Sequence, residues 1–248
     1  LARANPGLGI GCHLAAVGGR PVAPASEVSS LVDDEGRLPR TLTDLMKLLM
    51  RKRVKVEAIE REFSAQVERV IRAGITPTHL DSHKHSHTHP VVMKALARVA
   101  VQFKIPCVRN PFESVFAPAR TGVAARARRP VYLKQYALSA AIAPRMLSFK
   151  RLAREHGLKA PDYLCGVRLT GLLDSEAMRS VIESLKEGTT ELMCHPGIHD
   201  EELESAHTRL KRERQQELEA LIDPATQKCA NEQEVKLINY REFAESHV

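Results

Sequence analysis

Short apolar runs alternate along this chain with helix-length amphipathic segments, and that alternation restricts the fold more than any other feature. The segments Leu8–His13, residues 78–83, Ile105–Arg109, Tyr163–Val167, Thr190–Cys194 and Val235–Ile238 read as strands. Between them, Val56, Ile59, Phe63, Val67, Val70 and Ile71 recur at helical spacing up to Gly74. Thr41 or Thr43 is placed to cap a helix running to Met50, and Pro90 opens one whose apolar face is Val92, Leu96 and Val99. Further helices are expected over residues 131–142, 148–156 and 201–221, with Met178, Val181, Ile182 and Leu185 marking another. Strands alternating with helices of this length imply parallel βα units, closed into a barrel or opened into a doubly wound sheet. In both architectures the functional site lies at the carboxyl ends of the strands.

Polar residues collect at those ends. His13, Asp81 with His83, Arg109 and His195 each terminate an apolar run. Residues 78–90 read Thr-His-Leu-Asp-Ser-His-Lys-His-Ser-His-Thr-His-Pro and hold five of the 11 histidines. His79, Asp81, His83, His85, His87 and His89 all occupy odd positions, so an extended backbone would set them on one face. A carboxylate and neutral imidazoles on one face are what a divalent cation uses. The competing reading is a His-rich surface loop with incidental metal affinity.

The chain of 248 residues, 43% of them hydrophobic, suffices for one sizeable α/β core or two small ones. The best apolar stretch, Val91 to Val101, is interrupted by Lys94 and Arg98, so no transmembrane segment is expected. Five cysteines without a CxxC pair argue for a reducing, cytoplasmic compartment and against a disulfide framework. The net charge of +7 invites a nucleic-acid partner, yet aromatics are 4% and Trp is absent. Basic clusters such as Arg51-Lys52-Arg53 and Arg126-Ala127-Arg128-Arg129 lack stacking residues between them, which excludes single-strand nucleic-acid binding as the favoured class.

Four segments carry a family resemblance: Gly9-Ile10-Gly11-Cys12-His13-Leu14, Gly19-Arg20-Pro21-Val22, residues 77–85, and Glu191-Leu192-Met193-Cys194-His195-Pro196-Gly197. In order and spacing they resemble the YdjC-like carbohydrate deacetylases. Residues 32–37 and Val108-Arg109-Asn110-Pro111 are most similar to the branch with hopanoid-biosynthesis-associated deacetylases. The resemblance implies a single α/β, TIM-barrel-like (β/α) domain over residues 1–248. It also implies hydrolytic removal of an acetyl group from an N-acetylated sugar or glycolipid, with one divalent metal ion, Mg²⁺ or Zn²⁺, held by an Asp and two His.

By that resemblance His13 and His83 are metal ligands, Asp81 orients a ligand imidazole, His195 hands a proton to the departing amine, and Arg109 and His85 contact substrate. His87 and His89 are left without a role, with His89 expected beside the helix start at Pro90. The family's Asp-Asp segment, source of the third ligand and the base, has no counterpart, and Asp33-Asp34 follows His13 where a strand before it is required. The expectation is an N-terminally truncated barrel lacking its first βα unit or units. For the hopanoid branch, the Pro-rich loop before residue 40 and the basic segment at Arg126 would face a membrane-embedded substrate. A homodimer is compatible with the sequence. Two other readings stay open: a different metal-dependent barrel hydrolase such as a phosphoesterase, and an inactive metal-binding fragment.

Overall fold

The computed structural model describes residues 2–113 and 130–246, so the basic segment at Arg126 lies outside the described residues. The chain divides into two compact units: Leu1–Pro111 with Pro144–Ala160 and Ile238–Val248, and Phe112–Ala143 with Pro161–Leu237.

In the first unit, strands β1 (Gly11–Leu14), β2 (His79–Ser82) and β3 (Cys107–Val108) form a parallel sheet in that order. The register sets Gly11 beside His79 and His13 beside Asp81. Side chains alternate across a strand, so Leu14, Leu80 and Val108, each 0% exposed, face away from His13 and Asp81. Helices α1 (Leu42–Met50), α2 (Val56–Arg72) and α3 (Pro90–Gln102) belong to this unit. α2 packs on β1 and on α3, and α3 packs on β2. Thr41 caps α1 by accepting from Asp44 N, one of the two candidates the sequence offered.

α2 also anchors the Pro- and Gly-rich loop that follows β1. Glu62, fully buried, accepts the Val22 and Ala23 amides, each at 2.9 Å, and the Gln66 side-chain amide at 2.7 Å. Gln66 in turn holds both the N–H and the C=O of Ala15. A charged carboxylate tolerates burial only when hydrogen bonds of this kind replace its water.

In the second unit, α4 (Pro130–Ile142) precedes β4 (Tyr163–Cys165), while α5 (Met146–Glu155) lies in the first unit. β4 pairs in parallel with β5 (Thr190–Leu192). α6 (Ser175–Glu183) lies between those strands in sequence, and α7 (Glu201–Ser205), α8 (Arg212–Ile222) and α9 (Pro224–Glu232) follow. α6, α8 and α9 pack together, burying Leu173, Met178, Val181, Ala220 and Cys229. Glu113 ties the loop after β4: it accepts the Gly166 and Arg168 amides at 3.0 and 2.8 Å and pairs with Arg168 Nε at 3.2 Å. Gly166 sits at φ +105°, where an added Cβ would lie 2.1 Å from the Met193 carbonyl oxygen, so only glycine permits this approach of the two strands.

The structure corrects three expectations. Val235–Ile238 is no strand, because Leu237 is 80% exposed and Asn239 instead opens α10 (Tyr240–Glu245) with a capping box to Glu242. The helix expected over residues 201–221 is two, α7 and α8, separated by a segment in which Leu210 is buried. The His-rich run is extended only to Ser82; His83–Thr88 forms 3-10 turns with Lys84 and His85 at φ +53° and +51°. Among the described residues no helix is long and apolar enough to cross a membrane.

Replacing Glu62 by Ala removes the acceptor for two loop amides, one of them on buried Ala23. The expected cost is about 3 kcal/mol. Urea denaturation should show a lower midpoint at unchanged slope, and an unaltered midpoint would mean that the loop is not held through α2.

Candidate functional site

Three strand ends build the site of the first unit. His13 lies in β1, Asp81 in β2 with His83 directly after it, and Arg109 directly after β3. His13 Nδ1 is 2.8 Å from Asp81 Oδ2, and the same oxygen accepts from Arg109 Nη1. A carboxylate can only accept, so His13 donates through Nδ1, and in the neutral ring Nε2 carries the lone pair. That Nε2 lies 3.4 Å from His83 Nδ1. Two nitrogens bound to one tetrahedral cation at about 2.0–2.1 Å stand about 3.4 Å apart, so this spacing fits one edge of such a centre.

Charge follows the geometry. Burial works against an ionised Asp81, but the His13 hydrogen bond and the Arg109 guanidinium outweigh it and hold the carboxyl at about 2. Burial, then the neighbouring His13 and Lys84, lowers the His83 pKa. A cation would therefore meet a neutral His83 imidazole and an anionic carboxylate behind His13. The pair is only part of a ligand set: among the described residues no group of three or more His, Cys, Asp or Glu side chains is arranged to hold a metal ion.

The remaining histidines of the run have separate tasks. His87 is fully buried. Its Nε2 is 3.1 Å from the Arg109 carbonyl, an acceptor, so Nε2 bears the proton and Nδ1 accepts the Ser82 hydroxyl at 2.6 Å. Ser82 Oγ then accepts the His87 N–H and the Ser86 hydroxyl, both at 3.0 Å, which fills its hydrogen-bonding capacity. Burial lowers the His87 pKa to about 4, keeping it neutral. This network closes the loop and anchors the backbone that carries Arg109.

His85 turns inward from a left-handed backbone, with its ring centroid 6.3 Å from that of His87. Its Nδ1 is buried without a hydrogen-bond partner among the described residues, and burial brings its pKa to about 3. Left-handed conformations in consecutive non-glycine residues carry strain of the kind that gathers at functional sites. His89 caps α3 by accepting from Val91 N, beside Pro90 as expected.

His79, in phase with the others, packs away from them. Its imidazole stacks on Tyr240 at 3.7 Å and 15° and lies over Gly11, where a Cβ would come within 2.3 Å of Nε2. The period of two thus groups His79 with Asp81 but does not extend past Ser82.

The second unit holds His195, three residues beyond the end of β5. Its N–H donates to Glu217 Oε2, its carbonyl accepts from Arg214 Nη1 at 3.4 Å, and Gly197 N donates to the Arg214 carbonyl at 3.2 Å. Ser82 and Glu217 were not singled out from the sequence; the run Asp-Ser-His-x-His-Ser-His placed Ser82 in the motif, whereas nothing local marks Glu217.

A parallel α/β protein with a carboxylate-backed imidazole pair at adjacent strand ends is the class these features define. The YdjC-like protein family model matches residues 1–232, and the chain belongs to that family. A carbohydrate deacetylase of Geobacillus stearothermophilus is 32% identical over 244 residues, covering 98% of this chain and 79% of that protein. One from Thermoanaerobacter pseudethanolicus is 26% identical over 242 residues, covering 95% and 78%. A crystal structure from Enterococcus faecalis V583, provisionally described as a cellobiose-phosphate cleavage protein, superposes with a TM-score of 0.69. At 21% identity, covering 98% of this chain and 80% of that one, it establishes a shared fold.

Gly11→Ala should destabilise by at least about 2 kcal/mol, because its methyl group enters the His79 ring. In a His79→Ala background the same change should cost under about 1 kcal/mol. A double-mutant cycle in urea reads the coupling, and additive costs would contradict the stacked arrangement.

Proposed function

We propose that this chain is a carbohydrate deacetylase that hydrolyses the acetamide of an N-acetylated amino sugar, free or on a glycolipid, with a divalent cation. The observation that carries the proposal is the His13–His83 nitrogen pair backed by Asp81, in a chain similar over its length to proteins named carbohydrate deacetylases. The parallel βα units support a TIM-barrel-like fold in the same reading.

A cation, Mg²⁺ or Zn²⁺, held by His13 Nε2 and His83 Nδ1 would supply Lewis acidity, lowering the pKa of water and offsetting charge on the amide oxygen. The chain's own residues do the rest. Asp81 keeps the proton on His13 Nδ1 and so keeps the Nε2 lone pair directed at His83. Arg109 neutralises Asp81 and is assigned to a sugar hydroxyl or the developing oxyanion. His85, neutral through burial, is assigned to a substrate hydroxyl or amide. His195 is assigned the proton given to the departing amine.

The test is acetate release from N-acetylglucosamine oligosaccharides after chelation and again with Mg²⁺ or Zn²⁺. Turnover should require metal; His83→Ala should lose metal binding and turnover together, and Asp81→Asn should cost about 10–100-fold in metal affinity or rate. Metal-free turnover by His83→Ala, or phosphate release from sugar phosphates in place of acetate, would refute the assignment.

A further inference from the structure

We infer that His87 is the positioning residue of Arg109: its buried ring spans from the Ser82 hydroxyl to the Arg109 carbonyl and so seats the guanidinium that holds Asp81 and His13 in place. What this does for a cation rests on the deacetylase reading above, while the span itself lies within the first unit.

The ladder between β2 and β3 stops short of the site. Its paired positions end at Leu80 with Val108, and the Arg109 N–H adds one bond, to the Leu80 carbonyl at 3.1 Å. Asp81 and Arg109, which form the ion pair, are thus the first residues beyond the rungs that join β2 to β3. A parallel ladder continued by one rung would have the Arg109 carbonyl accept from the β2 backbone. Here His87 Nε2 donates to that carbonyl at 3.1 Å. The ring carries on where the paired rungs leave off, and it ties Arg109 to Ser82, the residue next to Asp81.

A neutral imidazole offers one acceptor and one donor on a rigid frame. His87 uses both, Nδ1 for the Ser82 hydroxyl at 2.6 Å and Nε2 for Arg109, and burial keeps the ring neutral in that division of roles. The turn that brings the ring there is costly, since Lys84 and His85 both take left-handed backbone. It returns the chain within five residues, so that the His87 N–H reaches Ser82 Oγ at 3.0 Å. A residue that only filled this space could be apolar; both nitrogens of His87 are instead spent on strand ends that carry the site.

The consequence passes through one atom. His13 Nδ1 and Arg109 Nη1 both donate to Asp81 Oδ2, so a displaced Arg109 turns the carboxylate and with it the His13 ring. The Asp81 and Arg109 side chains are 6% and 17% exposed, which leaves little water to make good a lost contact.

The first experiment is ¹⁵N NMR of the full chain without metal. The His87 ring should be protonated at Nε2, with a coupling across the hydrogen bond to the Arg109 carbonyl carbon. The Arg109 guanidinium protons should exchange with water at least about 10-fold faster in His87→Phe, which keeps a ring but no nitrogens. His87→Gln, whose amide can still donate to that carbonyl, should recover most of the protection. Val92→Ala, a core change in α3, should leave the exchange nearly unchanged. A wild-type ring protonated at Nδ1, an unchanged rate in His87→Phe, or an equal acceleration in Val92→Ala overturns the inference. Should His87→Phe fail to fold, Ser82→Ala removes the other end of the span and should speed the same exchange; an unchanged rate there is equally fatal.

Zn²⁺ alone, titrated calorimetrically, should bind about 10–100-fold more weakly to His87→Phe than to the wild type, with His87→Gln between them. Equal Zn²⁺ affinity in wild type and His87→Phe would overturn the link from Arg109 to His13. If the wild type binds no Zn²⁺ while Arg109 responds as stated, the positioning stands and the metal-dependent deacetylase reading falls.

Discussion

One oxygen atom, Asp81 Oδ2, joins the ends of three strands. It receives His13 Nδ1–H from β1 and Arg109 Nη1 from the residue after β3, while belonging itself to β2. Asp81 is 4% exposed, and a charge so removed from water is tolerable only with donors of this strength around it. The parallel register makes the contact unavoidable, because His13 and Asp81 are paired positions with side chains on the same face. Each other feature of the site follows from that placement: the His13 tautomer, the direction of its free nitrogen and the position of His83 facing it.

Much of this was legible in the sequence. Apolar runs ending in His13, Asp81-Ser82-His83 and Arg109 gave the strands and their polar carboxyl ends, and parallel pairing then brings such ends together. The helical stripe of α2 and the proline start of α3 were equally clear, since both rest on local periodicity and capping. The histidine run was misread beyond Ser82 for a physical reason. A period of two describes side chains only while the backbone stays extended, and Ser82 Oγ draws the chain into a turn by accepting from His87 N–H. The two left-handed residues there, Lys84 and His85, carry no glycine or asparagine to announce them.

What the sequence concealed are contacts between residues far apart in the chain. Glu62 holds amides 39 and 40 residues away, Glu113 those 53 and 55 away, and Glu217 those 22 and 46 away. In sequence each is one glutamate among many charged residues on amphipathic segments, where a solvated position is the natural expectation. The stack of His79 on Tyr240 spans the chain in the same way, and it also explains why glycine stands at position 11.

The opposing effects of burial within the site also explain how a cluster of titratable groups can serve a cation. Desolvation penalises whichever form is charged, so it acts on acids and bases in opposite directions. For His83, His85 and His87 burial is the largest influence and lowers each pKa, which keeps the rings neutral. For Asp81 the same penalty is outweighed by His13 and Arg109, so the carboxylate stays charged. Neutral imidazoles cannot repel a cation as imidazoliums would, and a single negative charge lies behind them to attract it. Were Arg109 absent, the attraction would be greater, but burial would then push the Asp81 carboxyl toward its neutral form and weaken its hold on His13. The guanidinium therefore adds to the His13 hydrogen bond in holding Asp81 ionised, even though its own charge would oppose that of a cation.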